Sequence, residues 1–143
     1  MIKRTASAVW TGDLKGGRGT VSAESGVLKE AQYSFGTRFE NGIGTNPEEL
    51  VGAAHAACFS MALSGQLGAA GLTAERIRTT ASVSMDKLDG GFAITGIHLD
   101  VTAKIPGASN EAFLKAANGA KDGCPMSKAL KAVPITMDAK LEG

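Results

Sequence analysis

Cysteine, aromatic residues and excess charge are all scarce in this 143-residue sequence. The formal net charge of +1 comes from scattered residues, which argues against nucleic acid or a membrane surface as the main partner. The N-terminal segment lacks the apolar run and cleavage site of a secretory signal, so we expect a cytoplasmic protein. In that compartment the two cysteines, Cys58 and Cys124, are expected to be reactive rather than a structural staple.

The longest apolar stretch runs from Thr45 to Leu67, and we expect the fold to be organised around it. It begins as helices do, with Asn46 as N-cap, Pro47 at the first helical position, and Glu48 and Glu49 in the first turn. Apolar residues then fall on nearly every face, which predicts burial in a core or an interface. Its length and its polar interruptions argue against a membrane span.

The segments on either side of this helix alternate as strands do and are separated by glycine-containing turns. A shift in apolar phase near Gly96 predicts a β-bulge, and Ser109 and Cys124 are predicted to cap two further helices. We predict one domain over residues 1–143, of the α+β class, with antiparallel β-sheet around a long, buried central helix. The predicted strands cover residues 3–10, 20–25, 31–40, 76–85, 92–105 and 133–141.

Taken singly, the two cysteines differ in character. Cys58 lies about twelve residues into its helix, beyond the reach of the N-terminal dipole. Burial alone would raise its pKa and make it inert, so a small buried side chain and a reactive thiol both remain open. Cys124 precedes Pro125 at a helix start, where free backbone N–H groups favour a thiolate.

Three other side chains could take part in chemistry, although each also has a simple structural interpretation. His55 lies three residues before Cys58 on the same helix face and could be a base, but a core histidine is favoured. Arg38 could be a solvent-facing strand residue, and Glu48 an ordinary first-turn acid. The second histidine, His98, has no neighbours at zinc-ligand spacing, so no metal site is predicted.

Four segments of the chain form a recognisable set: TRFE (37–40), GTNPEELVGAAHAACFSMAL (44–63), DGGFAITGI (89–97) and GCPMSKALKA (123–132). Together they resemble the OsmC/Ohr family of organic hydroperoxide resistance proteins, and the likeness extends over the whole chain. This resemblance implies a thiol-dependent peroxidase that reduces organic peroxides, and hydrogen peroxide less well, built as an intertwined homodimer.

The resemblance also implies roles for four residues. Cys58 matches the peroxidatic cysteine and Cys124 the resolving cysteine. Arg38 matches an arginine whose guanidinium would hold the Cys58 thiolate and hydrogen-bond the peroxide. Glu48 would orient that arginine, and a supporting role for Glu49 stays open.

The chemistry implied by the family needs no metal or bound cofactor. The thiolate would become a sulfenic acid, the resolving thiol would condense with it to an intrasubunit disulfide, and an external dithiol, such as a lipoyl group, would restore both thiols. Apolar side chains could either line a substrate pocket or belong to the core. The candidates are Phe39, Phe59, Met61 and Met126.

Two other functions and one question of assembly stay open at this stage. The same disulfide could serve a redox-sensing regulator without turnover, or the protein could be a non-catalytic stress-related binding protein.

Glu48 precedes Cys58 by ten residues, about 15 Å along a straight helix. We therefore expect the Arg38–Glu48 pair to come from the partner subunit, unless the helix breaks near Gly52.

Overall fold

The computed structural model describes residues 1–142, which form an α+β structure as predicted. The chain divides into two compact units, Met1–Leu50 and Val51–Gly143. A single domain over residues 1–143 stays a prediction.

The first unit contains a three-stranded antiparallel sheet in the order β1-β2-β3. Its strands are β1 (Ala6–Thr11), β2 (Arg18–Ala23) and β3 (Ala31–Tyr33). The first two predicted strands are confirmed, with their ends displaced by a few residues.

The third predicted strand is wrong beyond Tyr33, because the chain turns into a short helix, α1 (Phe35–Phe39). Ser34 caps this helix: its Oγ accepts from the Thr37 backbone N–H at 3.3 Å, and Thr37 Oγ1 accepts from the Ser34 N–H at 2.8 Å. This reciprocal capping box satisfies two backbone donors and favours a helix over a continued strand. Arg38 therefore projects from a helix.

A glycine-containing loop then leads into the long helix α2 (Pro47–Ala69). Gly44 has a φ of +139°, and a Cβ placed there would lie 2.5 Å from the Gln32 carbonyl oxygen, so this position requires glycine. Asn46 caps the helix as predicted, because its Oδ1 accepts from the Glu49 N–H at 2.8 Å. The helix is continuous through Gly52, so the alternative of a break there is wrong.

Within a single chain, helix α2 is buried along one stripe only, so burial of its other faces in an interface stays a prediction. Met61, for example, is 78% exposed. At Gly52 the missing side chain allows a close approach to strand β4 (Arg76–Leu88), since a Cβ would lie 3.3 Å from the Ala81 carbonyl oxygen. The buried residues recur every three or four positions: Gly52, His55, Phe59, Leu63 and Leu67.

By length and composition, α2 is the one helix among the described residues that could cross a membrane. The expectation that this helix is too short and too interrupted to span a membrane is therefore wrong. Core helices of soluble proteins meet the same criterion, so this property alone is weak evidence for a membrane span.

The second unit contains a sheet in the order β4-β5-β6, with β5 at Gly91–Lys104 and β6 at Ile135–Glu142. Strands β4 and β5 form an antiparallel hairpin whose register shifts between Ser84 and Met85. Ser84 pairs with Gly96 and Met85 with Ile94, which leaves Thr95 as the extra residue. The predicted bulge is confirmed.

Strand β6 pairs with β5 in parallel, which differs from the antiparallel arrangement we predicted. Between them lie α3 (Asn110–Gly123), capped by Ser109, and α4 (Pro125–Ala129), capped by Cys124, both as predicted. A connection that contains helices returns the chain to the same end of the sheet, and the next strand then runs parallel.

The core of the second unit joins α2, β5 and α3, and the sulfur of Cys124 belongs to it. Cys58 is partly buried and packs against this core. Cys58 thus lies at the edge of one apolar cluster, and Cys124 lies in its interior. Its largest fully buried members are Phe59, Phe113, Leu63, Leu67, Ile97 and Leu99.

Candidate active site

The structure brings Cys58 and Cys124 together in the second unit. Both are free thiols, and their side chains interact with each other. Cys58 projects from the middle of α2 and is half-buried, whereas Cys124 is fully buried at the start of α4. This contact fits the sequence-based assignment of the pair.

Burial raises the pKa of the Cys58 thiol above its ordinary value. A backbone hydrogen bond from Met126 lowers this pKa, and the neighbouring Cys124 raises it again, so the net direction is upward. The expectation from helix position is confirmed: within these contacts Cys58 is a protonated thiol, and a thiolate requires an additional positive charge.

Cys124 is held by two contacts to Ser127 in the first turn of α4. Its Sγ accepts from the Ser127 backbone N–H at 3.2 Å and donates to Ser127 Oγ at 3.1 Å. Pro125 occupies the first helical position, where a missing backbone N–H costs nothing. The cysteine therefore acts as the N-cap of α4, as its position before proline predicts.

His55 contacts the same Ser127 hydroxyl as Cys124 does. The imidazole is fully buried, and its Nε2 lies 2.8 Å from Ser127 Oγ. Burial lowers the pKa of His55, so the ring is neutral at pH 7. The sequence placed His55 on the face of Cys58, but gave no indication of Ser127 as its partner.

Arg38 and Glu48 form the predicted ion pair in the first unit. Arg38 Nε donates to Glu48 Oε1 at 2.9 Å, and the guanidinium lies 5.4 Å from the centre of the Phe39 ring. Glu49 instead accepts from Thr45 Oγ1 at 2.8 Å. Of these two acids, Glu48 is therefore the one that is ion-paired with Arg38.

A cavity of about 240 Å³ lies beside Arg38 in the same unit. Aromatic rings form most of its wall, including two contacting pairs: Trp10 with Tyr33, 5.5 Å between centroids, and Phe35 with Phe39, at 4.7 Å. These four are more than half of the chain's seven aromatic residues, and their concentration before α2 was the signal we missed. The cavity is lined by Trp10, Leu14, Tyr33, Ser34, Phe35, Arg38 and Phe39.

Of the four side chains proposed from the sequence as pocket or core, only Phe39 lines this cavity. Phe59 belongs to the core, and Met126 packs against it. Met61 is exposed on α2. The apolar surface beside the arginine is therefore built mainly from residues that precede it in sequence.

A separate polar group, His98, Asp100 and Asp138, has ligand atoms within 4.8 Å of one another and could hold a metal ion. Sequence spacing did not reveal this group because the parallel register of β5 and β6 brings it together. His98 Nδ1 contacts Thr136 Oγ1 at 2.7 Å, and Nε2 lies 3.1 Å from Asp138. Both carboxylates are largely exposed, as acidic groups without an ion commonly are.

Comparison with known proteins identifies one family. A family model described as OsmC-like protein matches residues 39–138. The chain is 56% identical to Peroxiredoxin OsmC of Escherichia coli (strain K12) over 141 residues, which cover 99% of this chain and 98% of the relative. It is 35% identical to the organic hydroperoxide resistance protein OhrB of Bacillus subtilis (strain 168), with 90% and 91% of the two chains covered.

The fold is also found among solved structures. The crystal structure of an OsmC-like protein from Mycoplasma pneumoniae superposes with a TM-score of 0.78 and covers 99% of both chains, at 17% identity. At that identity the likeness is one of fold.

Proposed function

The chain belongs to the OsmC-like protein family, and we propose that it reduces organic hydroperoxides to alcohols through a Cys58–Cys124 disulfide. A peroxidase is the enzyme class to which its 56% identical relative belongs by name. The observation that supports the proposal is the interaction between two free thiols, Cys58 packed against the core and Cys124 within it.

The proposed reaction has three steps. The Cys58 thiolate attacks one peroxide oxygen, the O–O bond breaks, and the alkoxide leaves as an alcohol after taking a proton. Cys58 is then a sulfenic acid, and the Cys124 sulfur displaces its hydroxyl group as water to form the disulfide. An external dithiol, such as a lipoyl group, reduces this disulfide by exchange, and no other cofactor is required.

Arg38 supplies the positive charge that Cys58 needs. The guanidinium is always ionised and can stabilise a thiolate while it donates to a peroxide oxygen. Glu48 holds it through the 2.9 Å ion pair. The aromatic cavity beside Arg38 would accept the apolar part of an organic peroxide, which hydrogen peroxide lacks.

We propose further that the Arg38 and Glu48 serving each Cys58 belong to the partner subunit of a homodimer. Glu48 and Cys58 lie ten residues apart on a continuous helix, about 15 Å along its axis. The exposed apolar side of α2, which includes Met61, would supply the dimer interface. A cytoplasmic location, which would keep both thiols reduced between turnovers, is part of the proposal.

A thiol count tests the disulfide. One equivalent of cumene hydroperoxide should consume both thiols of the reduced protein, and a non-reducing gel should show no covalent dimer. Cys124→Ser should react once and then over-oxidise to the sulfinic acid. A crosslink between subunits, or the loss of only one thiol in the wild type, contradicts the proposed pairing.

Subunit mixing tests the shared site. Arg38→Ala and Cys58→Ser are each expected to be inactive, but a mixed dimer contains one site with both residues intact. Activity should therefore return after subunit exchange. If exchange is verified with differently tagged chains and activity stays absent, the arginine does not come from the partner subunit.

A further inference from the structure

The buried contacts around Cys124 form a continuous chain from its sulfur through Ser127 to His55. Sγ lies 3.1 Å from Ser127 Oγ, which in turn lies 2.8 Å from His55 Nε2. All three side chains are buried, with exposed fractions of 0, 4 and 0%. Water therefore competes little with these hydrogen bonds.

We propose that Ser127 and His55 form a proton relay that activates Cys124 for its attack on the Cys58 sulfenic acid. This inference rests on the proposed function and concerns its second step. Ser127 touches the reacting sulfur, and His55 acts through Ser127 as a positioning residue and proton acceptor.

The relay accommodates Cys124 in both protonation states. In the thiol state, Sγ–H donates to Ser127 Oγ, and the serine hydroxyl donates to the unprotonated His55 Nε2. In the thiolate state the two side-chain bonds reverse: Nε2–H donates to Oγ, and the serine hydroxyl donates to sulfur. The Ser127 backbone N–H, 3.2 Å from the sulfur, donates in both states. A cysteine that must alternate between these states needs such a reversible arrangement.

His55 is costly as a purely structural residue. Its Nδ1 is buried and has no hydrogen-bond partner among the described residues. A buried polar atom without a partner destabilises the fold, and an apolar side chain of similar size would fill the space without that cost. The imidazole is therefore explained better by its contact with Ser127 than by packing.

Disulfide formation begins with the loss of the Cys124 proton. The Cys124 proton passes to Ser127 Oγ while the serine hydroxyl proton passes to His55 Nε2. The sulfur–sulfur bond forms, the S–O bond of the Cys58 sulfenic acid breaks, and the departing hydroxide takes a proton from solvent to leave as water. Cys124 is oxidised and the sulfenic sulfur reduced. When the external dithiol later reduces the disulfide and releases the Cys124 thiolate, the His55 proton returns to that sulfur through Ser127, so no net charge accumulates over one turnover.

Quenched-flow measurements with one equivalent of cumene hydroperoxide separate the two steps. Dimedone traps the sulfenic acid, and mass spectrometry of the alkylated protein quantifies thiol, sulfenic acid and disulfide over time. In Ser127→Ala and His55→Leu, disulfide formation should slow about 100-fold, while Cys58 oxidation stays within twofold of the wild type. His55→Gln, which keeps a hydrogen-bond acceptor but takes up no proton, should also slow the second step more than tenfold.

The pH dependence of the rate of disulfide formation is a second readout, and a packing defect would not change it. Without the relay the thiol proton must go to solvent, so the second-step rate of Ser127→Ala should rise about tenfold per pH unit from 6 to 8, more steeply than the wild type. Ser60→Ala is the matched control. It removes a hydroxyl of α2 bonded at 2.8 Å to Thr79 Oγ1, and should leave both steps unchanged.

The inference is overturned if the folded Ser127→Ala and His55→Gln proteins form the disulfide at the wild-type rate. It is also overturned if they slow both steps equally, as a general structural defect would. Failure of the wild type to form a sulfenic acid would instead contradict the proposed function itself.

Discussion

Replacing Glu48 with alanine removes the carboxylate that is ion-paired with Arg38. A hydrogen bond to a charged group contributes about 1.5–3 kcal/mol when sheltered. The Glu48 side chain is only 12% exposed, but Arg38 is 40% exposed, so solvent screening reduces this contribution to about 1–2 kcal/mol. The population of correctly placed arginine, and with it kcat/KM for an organic hydroperoxide, should fall about 5- to 30-fold.

Glu49→Ala is the matched control, because it removes the same charge from the same helix turn. Glu49 accepts from Thr45 rather than from Arg38, so this variant measures the general loss of an acid at the helix N-terminus. Steady-state consumption of cumene hydroperoxide, with dithiothreitol as reductant, gives kcat/KM for both variants. If Glu49→Ala loses as much activity as Glu48→Ala, the orienting role of Glu48 is wrong.

Three further predictions concern charge, pH and packing. Arg38→Ala should raise the pKa of the Cys58 thiol, so that the rate of its oxidation falls more than tenfold at pH 7 and recovers as pH rises; stopped-flow rates against pH measure this. Burial lowers the pKa of His55, so its contribution to stability is present above about pH 6.5 and is lost as pH falls. Urea midpoints from pH 7 to 5 should fall less for His55→Gln than for the wild type. Leu63→Ala, at a fully buried position, should cost about 2–5 kcal/mol in urea unfolding, whereas Leu88→Ala, 52% exposed, should cost far less.

Local signals predicted three of the four helices among the described residues, α2, α3 and α4. Asn46, Ser109 and Cys124 each mark a helix start by a capping side chain, and all three caps are present. Alternation misled us at residues 31–40, because the capping box of Ser34 outweighs an apparent strand pattern. The parallel pairing of β6 was missed since strand direction depends on the whole connection between strands rather than on the strand's own sequence.

Only part of the candidate site was predictable, because several of its contacts join residues that are far apart in sequence. Side-chain chemistry alone left Cys58 ambiguous, and only the family resemblance paired it with Cys124 and named Arg38 and Glu48. The contact of His55 with Ser127 joins residues 72 positions apart, and no local pattern encodes it. The aromatic cavity likewise depends on how β1, β3 and α1 fold together.

We propose above all that this protein turns over organic hydroperoxides through Cys58. Steady-state consumption of cumene hydroperoxide by the wild type and Cys58→Ser tests this, with excess dithiothreitol and with hydrogen peroxide as the comparison substrate. We expect many turnovers per subunit for the wild type, a higher kcat/KM for the organic peroxide, and no turnover for Cys58→Ser. A single stoichiometric oxidation, as in a redox sensor, or no reaction, as in a binding protein, would contradict it.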